Sequence, residues 1–206
     1  MSLALEGVAV ARGGRPVVAG VTLTLAPGEA VRFKGANGAG KTSLLRAIAG
    51  LLPLAAGRIA LDGSEAREPA RRARAVHCGH ADGVKAAMSV RENLGFWATL
   101  YGAPKTRVED ALAAFGLARL RETRAADLSA GQRRRLGLCR LIIAAKPIWL
   151  LDEPTASMDA AASARLIGLI AAHRQEGGSV LIATHDRLDL PNARAFVLEA
   201  AGPGAA

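Results

Sequence analysis

The sequence predicts an α/β protein whose core is a mostly parallel sheet carrying a helical insertion. Three observations point there. Residues 30–33 read as a short apolar strand, 148–151 as a continuous apolar strand of the buried, parallel-sheet kind, and 179–183 as a buried strand. Helical periodicity fills stretches beside them, as alternation of strand and helix requires. The stretch from about 82 to 128 breaks that alternation and is rich in predicted helix.

Each element has a local reason. Residues 3–10 alternate enough for a strand, and in 17–25 Val21, Leu23 and Leu25 share one face at period two. Pro27-Gly28-Glu29 is a turn, after which strand 30–33 runs into a glycine-rich segment. From 41 to 52, Leu44, Leu45, Ile48 and Leu52 keep a helical period, and Gly50 and Pro53 bracket its end. Residues 58–61 form a strand before an Asp62-Gly63 turn. Helices are predicted at 93–101 and 107–115, with Gly102-Ala103-Pro104 between them, and a long one at 129–145 closed by Pro147. Helix 160–173 and a strand at 196–198 complete the pattern, and the small residues from Ala200 read as a frayed tail.

Composition limits what the chain can be. Its 206 residues suit one domain, here with an insertion. With 50% hydrophobic and 22% charged residues it is not a disordered chain. Aromatic residues make up only 3%, so the core must be built from Ala, Leu, Ile and Val. Two cysteines, Cys78 and Cys139, form no disulfide framework and read as free thiols in a reducing compartment, Cys78 as a buried strand residue. The net charge of +9 suits contact with nucleic acid, anionic lipid or nucleotide, or simply a solvated surface. No apolar run reaches the ~18 residues a membrane helix needs. The start has no secretory pattern, which predicts a chain kept in the cytoplasm.

The strongest signal is Gly35-Ala36-Asn37-Gly38-Ala39-Gly40-Lys41-Thr42, a complete G-x-x-x-x-G-K-[ST] pattern followed by Ser43. It follows a predicted strand and opens a predicted helix, the context the pattern requires. Glycines let backbone N–H groups turn inward around phosphate oxygens, and the helix N-terminus adds partial positive charge. Lys41 suits the β- and γ-phosphates, and the Thr42 hydroxyl suits Mg²⁺. About a hundred residues on, the apolar run 148–151 ends in Asp152 and Glu153. A buried strand delivers both acids to its C-terminal edge, where α/β sheets bind ligands. Asp152 fits a direct or indirect role at Mg²⁺, and Glu153 fits a base for the attacking water. Ser129 and Gln132 form a Ser-x-x-Gln capping box, and the helix it opens offers the Ser129 hydroxyl and the Gly131 N–H to an anion.

Taken in order, the phosphate loop, Leu128-Ser129-Ala130-Gly131-Gln132, Asp152-Glu153-Pro154-Thr155, Ser157-Met158-Asp159 and Thr184-His185-Asp186 resemble the nucleotide-binding domain of ABC transporters over nearly the whole chain. The resemblance implies a single P-loop ATPase domain spanning 1–206, with a mostly parallel core, an antiparallel β part at the N-terminus and a helical subdomain at about 82–128. It implies ATP and Mg²⁺ as ligands, ATP hydrolysis as the activity, and a homodimer that sandwiches nucleotide between Lys41 of one copy and Ser129 of the other. Asp159 would lie in a loop crossing between copies, and His185 would bond the γ-phosphate.

Two departures narrow the resemblance. Where the family usually has a glutamine touching Mg²⁺ and its water, this sequence has His80. Where an aromatic residue usually stacks on adenine, it has Arg12, whose guanidinium plane can still stack. Together with Gly83-Val84-Lys85 and Glu92-Asn93-Leu94-Gly95-Phe96-Trp97, these departures resemble the branch of the family that serves c-type cytochrome maturation. That branch implies a peripheral ATPase on the cytoplasmic face of the bacterial inner membrane, bound to polytopic permease subunits, with no nucleic acid partner. Val84, Met88, Phe96 and Trp97 would then supply apolar surface for the membrane partner. The alternatives are the ATPase of another ABC exporter, a nucleic-acid-linked ABC ATPase, and a non-catalytic nucleotide sensor.

Overall fold

The computed structural model describes residues 1–79, 83–185 and 188–199. Contacts group the chain into two compact units: 1–77 with 146–152 and 173–206, and 78–145 with 153–172.

The first unit holds two sheets. Strands β1 (Leu3–Arg12), β2 (Arg15–Leu25), β4 (Ala56–Leu61) and β5 (Ser64–Glu65) form an antiparallel sheet in the order β2-β1-β4-β5. Strands β3 (Ala30–Lys34), β6 (Ala75–Cys78, with Cys78 assigned to the other unit), β7 (Ile148–Asp152), β8 (Ser179–Ala183) and β9 (Arg194–Val197) form a second sheet in the order β6-β7-β8-β3-β9. Within it β7, β8, β3 and β9 run parallel. Every residue of β7 and of β8 is buried, which is why both read as unbroken apolar runs. One core joins the sheets: Leu5, Val10, Val21 and Leu23 from the first meet Phe33, Leu150 and Leu181 from the second, with Leu44, Leu45 and Ile48 of helix α1 (Lys41–Ile48).

Helix α1 ends earlier than its periodicity predicts. Gly50 stands at φ +72, and a Cβ there would lie 2.6 Å from the Glu68 carbonyl oxygen, so the chain turns before Leu51. Helix α2 (Glu68–Arg74) has no counterpart in the sequence reading. It lacks an apolar stripe; what ties it down is Arg71, 5% exposed and donating to the Ala66 carbonyl at 2.8 Å, and Arg72, donating to the Gly50 carbonyl at 2.7 Å.

The second unit contains α3 (Val90–Tyr101), α4 (Thr106–Ala114), α5 (Ala130–Leu138), α6 (Arg140–Ala144) and most of α7 (Ala160–Gln175). Ser89 caps α3 through a capping box with Glu92. Buried Asn93 ties the preceding loop to α3, accepting from the Lys85 N–H at 2.8 Å and donating to the Lys85 and Ser89 carbonyls. The single helix predicted at 129–145 is two. At Cys139 the backbone tightens, its N–H shared between the Arg135 and Leu136 carbonyls, and the Arg140 guanidinium takes the Gly137 carbonyl. Among the described residues, no helix is long and apolar enough to cross a membrane.

Candidate functional site

The phosphate loop leaves β3 at Gly35 and enters α1 through Gly40. Both glycines are required by close approach. A Cβ at Gly35 would strike the Leu198 carbonyl oxygen, and one at Gly40 would strike the Val17 carbonyl oxygen, with both residues at positive φ. The crest, Ala36-Asn37-Gly38, is exposed, whereas Ala39 is buried and Ser43 is buried in the first turn of α1. No acidic residue occupies that first turn, so the positive end of the helix dipole is left for an anion. Lys41, only 8% exposed, reaches back across the loop and donates to the Gly35 and Ala36 carbonyls at 2.7 and 3.0 Å.

Strand β7 brings its last residue to the same place. Asp152, 5% exposed, accepts a 2.7 Å hydrogen bond from the Thr42 hydroxyl through Oδ2. Two oxygen donors thus converge beside the phosphate loop, a set suited to a hard cation that takes its remaining ligands from phosphate and water. No group of three or more His, Cys, Asp or Glu side chains clusters among the described residues. His185 follows β8 and is exposed, on a cleft of about 610 Å³ also lined by Arg32, Lys34, Gly35, Thr184, Leu188 and Asp189.

The second unit carries the other candidate residues. Ser129 and Gln132 make the predicted capping box: the Gln132 N–H donates to Ser129 Oγ at 3.2 Å and the Ser129 N–H donates to Gln132 Oε1 at 2.8 Å. Ser129 is exposed at the N-terminus of α5. Within the first turn, Gly131 lies so close to the Ser157-Met158-Asp159 motif that a Cβ would sit 2.5 Å from the Ser157 carbonyl oxygen. Glu153 is half-buried and held at φ +47, a left-handed backbone that a glutamate adopts only at a cost. Its carbonyl accepts from Arg134 Nη2 at 2.9 Å, while the same guanidinium donates to Pro154 O and Gly79 O at 3.2 and 2.6 Å. Asp159 is exposed and accepts from the Ala162 N–H at 2.7 Å, which makes it the N-cap of α7.

Of the remaining sequence candidates, Arg12 is exposed at the end of β1. His80 and Asp186 lie outside the described residues. In the second unit Trp97 packs among its own neighbours, stacked on Tyr101 at 5.9 Å and covered by the Arg140 guanidinium at 4.7 Å. Phe96 is 39% exposed with the Lys85 ammonium 3.7 Å from its ring centre, and Val84 and Met88 are half-buried. Sequence reasoning missed Arg134 and Leu100. Arg134 stood unremarked in an arginine-rich run; Leu100, 61% exposed, continues the Phe96 face at i, i+4 spacing.

Residues 18–156 match the family model described as ABC transporter. The "Cytochrome c biogenesis ATP-binding export protein CcmA" of Ruegeria pomeroyi is 48% identical over 92% of this chain and 88% of its own length. The protein of the same name from Rhodospirillum rubrum is 46% identical over 96% of this chain and 86% of its own. Among solved structures, an ATP-binding subunit of an ABC transporter superposes with a TM-score of 0.85, at 22% identity, over 97% of this chain and 86% of that one. An ATP-binding cassette solved as a dimer in a post-hydrolysis state with ADP and phosphate gives 0.84 at 21% identity, over 96% of this chain and 94% of that one. These likenesses confirm the predicted fold class, and the chain belongs to the ABC transporter family as an ATP-hydrolysing domain resembling the CcmA proteins.

Proposed function

We propose that the chain is the ATPase subunit of an ABC complex in c-type cytochrome maturation, its hydrolysis driving haem export or release of a haem-loaded chaperone. What carries this reading is the near-half identity, across most of both chains, to export proteins of cytochrome c biogenesis, in a sequence that retains a complete phosphate loop, Asp152 and Glu153.

In this reading the domain is one ATPase unit with the helical subdomain at about 82–128. The backbone from Gly35 to Gly40, with Lys41, Thr42 and Ser43, holds the triphosphate. Thr42 and Asp152 would hold Mg²⁺, which would supply charge neutralisation to the bound phosphates. Glu153 accepts the proton of the attacking water, and the strained backbone at that residue aims the carboxylate. Ser129, Gly131 and Gln132 at the start of α5 face the γ-phosphate bound to a second copy, so turnover requires a homodimer. His185 bonds the γ-phosphate, His80 would take the place of the family's usual glutamine, and Asp159 adds contact across the dimer. Phe96 and Leu100 form the apolar face offered to a permease subunit at the inner membrane's cytoplasmic side.

The test is genetic and biochemical. A strain lacking the protein should lose haem attachment to c-type cytochromes while other haem proteins stay filled. Wild-type chain should restore attachment and Glu153→Gln should not. Normal c-type cytochromes in the deletion strain would instead assign the chain to another exporter.

A further inference from the structure

Arg71 carries a buried charge with no carboxylate partner among the described residues. It is 5% exposed, within α2. Nη1 donates to the Ala66 carbonyl at 2.8 Å, while Nε is buried with no acceptor. Burial lowers its pKa and the field of Glu68 raises it by less, so the group is desolvated more than it is compensated. A guanidinium keeps its proton under such pressure. A buried cation without a counter-ion is costly, and an apolar side chain of similar size often serves the fold better. The charge at position 71 calls for a reason beyond seating a helix.

Its surroundings supply one. Arg71 lines a cleft of about 420 Å³ whose walls all come from 53–71, within the first unit. That volume falls in the range of small-molecule pockets, which combine apolar walls with a few placed polar groups. Pro53, Leu54, Ile59 and Pro69 give apolar walls. The other charges on the lining disfavour a second negative charge. Arg58 is already paired with Glu6 at 2.8 Å. Arg67 is exposed, where water and salt screen it. Exposed Glu65 and half-buried Glu68 also line the cleft, so an anionic group beyond the first meets repulsion.

We propose that this cleft is a binding site for a small free monocarboxylic acid with a short aliphatic body. The carboxylate takes up the donors that Arg71 leaves unused, and the hydrocarbon lies against Pro53, Leu54, Ile59 and Pro69. Charge-assisted hydrogen bonds from a buried guanidinium give the affinity. Glu65 and Glu68 give the selectivity, turning away phosphates and dicarboxylates. The site shares no residue with the phosphate loop and stands whether or not the chain serves cytochrome maturation.

The experiment titrates the full chain with isovalerate, its uncharged counterpart isovaleramide, the dicarboxylate glutarate and inorganic phosphate, followed by calorimetry. Isovalerate should bind at least about tenfold more tightly than each of the others, the scale of a hydrogen bond to a charged group. Glu68→Gln should tighten isovalerate by roughly two- to fivefold, since it removes a like charge. Arg71→Met should erase the preference for acid over amide while the chain stays folded by circular dichroism. Should that variant not fold, the wild-type Arg71 Nε–H resonance carries the same test: it should move with isovalerate and stay in place with isovaleramide. Equal binding of acid and amide, or no binding of the acid, overturns the proposal. So does an acid preference that survives in folded Arg71→Met. Phosphate or glutarate binding as tightly as isovalerate would reduce the cleft to a general basic surface and also sink it. Acetylglycylleucine, with its free terminal carboxylate, should bind no better than isovalerate; tighter binding would assign the cleft to the end of a protein chain instead of a free acid.

Discussion

Arg134 donates to the carbonyl oxygen of Glu153, and that bond fixes a glutamate whose backbone is left-handed. Arg134 is 4% exposed and bridges Glu153, Pro154 and Gly79 through one rigid fork. Arg134→Ala leaves three carbonyls without this donor and should cost about 2–4 kcal/mol of stability, read by urea unfolding. Arg134→Lys should rescue little, since an ammonium cannot reproduce a planar fork. In protein that remains folded, turnover should fall further than nucleotide affinity, because in the proposed reading Arg134 orients Glu153, the base. A folded Arg134→Ala protein with wild-type turnover would remove it from this role.

Glu153 itself separates chemistry from folding. Glu153→Gln should bind ATP and lose about a hundredfold or more in turnover, the usual scale for a missing general base. Glu153→Gly should be equally inactive yet cost no stability, because glycine adopts φ +47 without strain. Comparing melting temperature and single-turnover rate across the pair checks both statements.

Ser129 caps α5 and, in the proposed homodimer, faces the second copy's nucleotide; substitutions can divide the two. Ser129→Ala removes the cap of α5 and should cost about 1 kcal/mol. Ser129→Arg loses the same cap and also fills the surface offered to a second copy. It should leave ATP binding by the single chain intact while abolishing nucleotide-dependent dimers in size-exclusion chromatography. Concentration-independent hydrolysis by dilute Ser129→Arg protein would contradict a shared site.

His173 makes stability depend on pH. Its ring stacks on Trp149 at 3.9 Å, with an interplanar angle of 8°, and Nε2 donates to the Pro147 carbonyl at 3.2 Å. Burial pushes its pKa below the ordinary 6.5, against a smaller opposing effect from that hydrogen bond. Between the two values the unfolded chain binds more protons, so stability rises with pH there. The contribution of the neutral ring is complete above about 6.5 and is lost as pH falls through the folded value. His173→Phe keeps a stacking ring and should flatten this part of the profile relative to wild type, measured as the urea midpoint at several pH values.

Legibility tracked the kind of force involved. The phosphate loop, β7 and the Ser129 box were readable because steric demand, burial and capping each leave a fixed spacing in the sequence. Helix α2 was not readable, since it is held by the side chains of Arg71 and Arg72 on the Ala66 and Gly50 carbonyls outside the helix rather than by an apolar stripe. The break at Cys139 was hidden for the same reason: a guanidinium from Arg140 competes for the Gly137 carbonyl inside an otherwise helical run. Arg134 shows the limit most clearly. Its neighbours Arg133 and Arg135 look identical in sequence, and only the fold decides which of the three meets Glu153.

Both cysteines are buried, Cys78 at 1% exposure and Cys139 at 0%, and burial pushes the Cys139 thiol well above its ordinary pKa. Labelling requires attack by the thiolate on the reagent, and burial disfavours the thiolate at Cys139. The native chain therefore offers a quiet background for labelling. One cysteine introduced at an exposed position, such as 15 at the hairpin tip or 129 at the start of α5, would take a fluorophore or spin label without first deleting the natural pair, and two such chains could report the distance between copies as nucleotide is added.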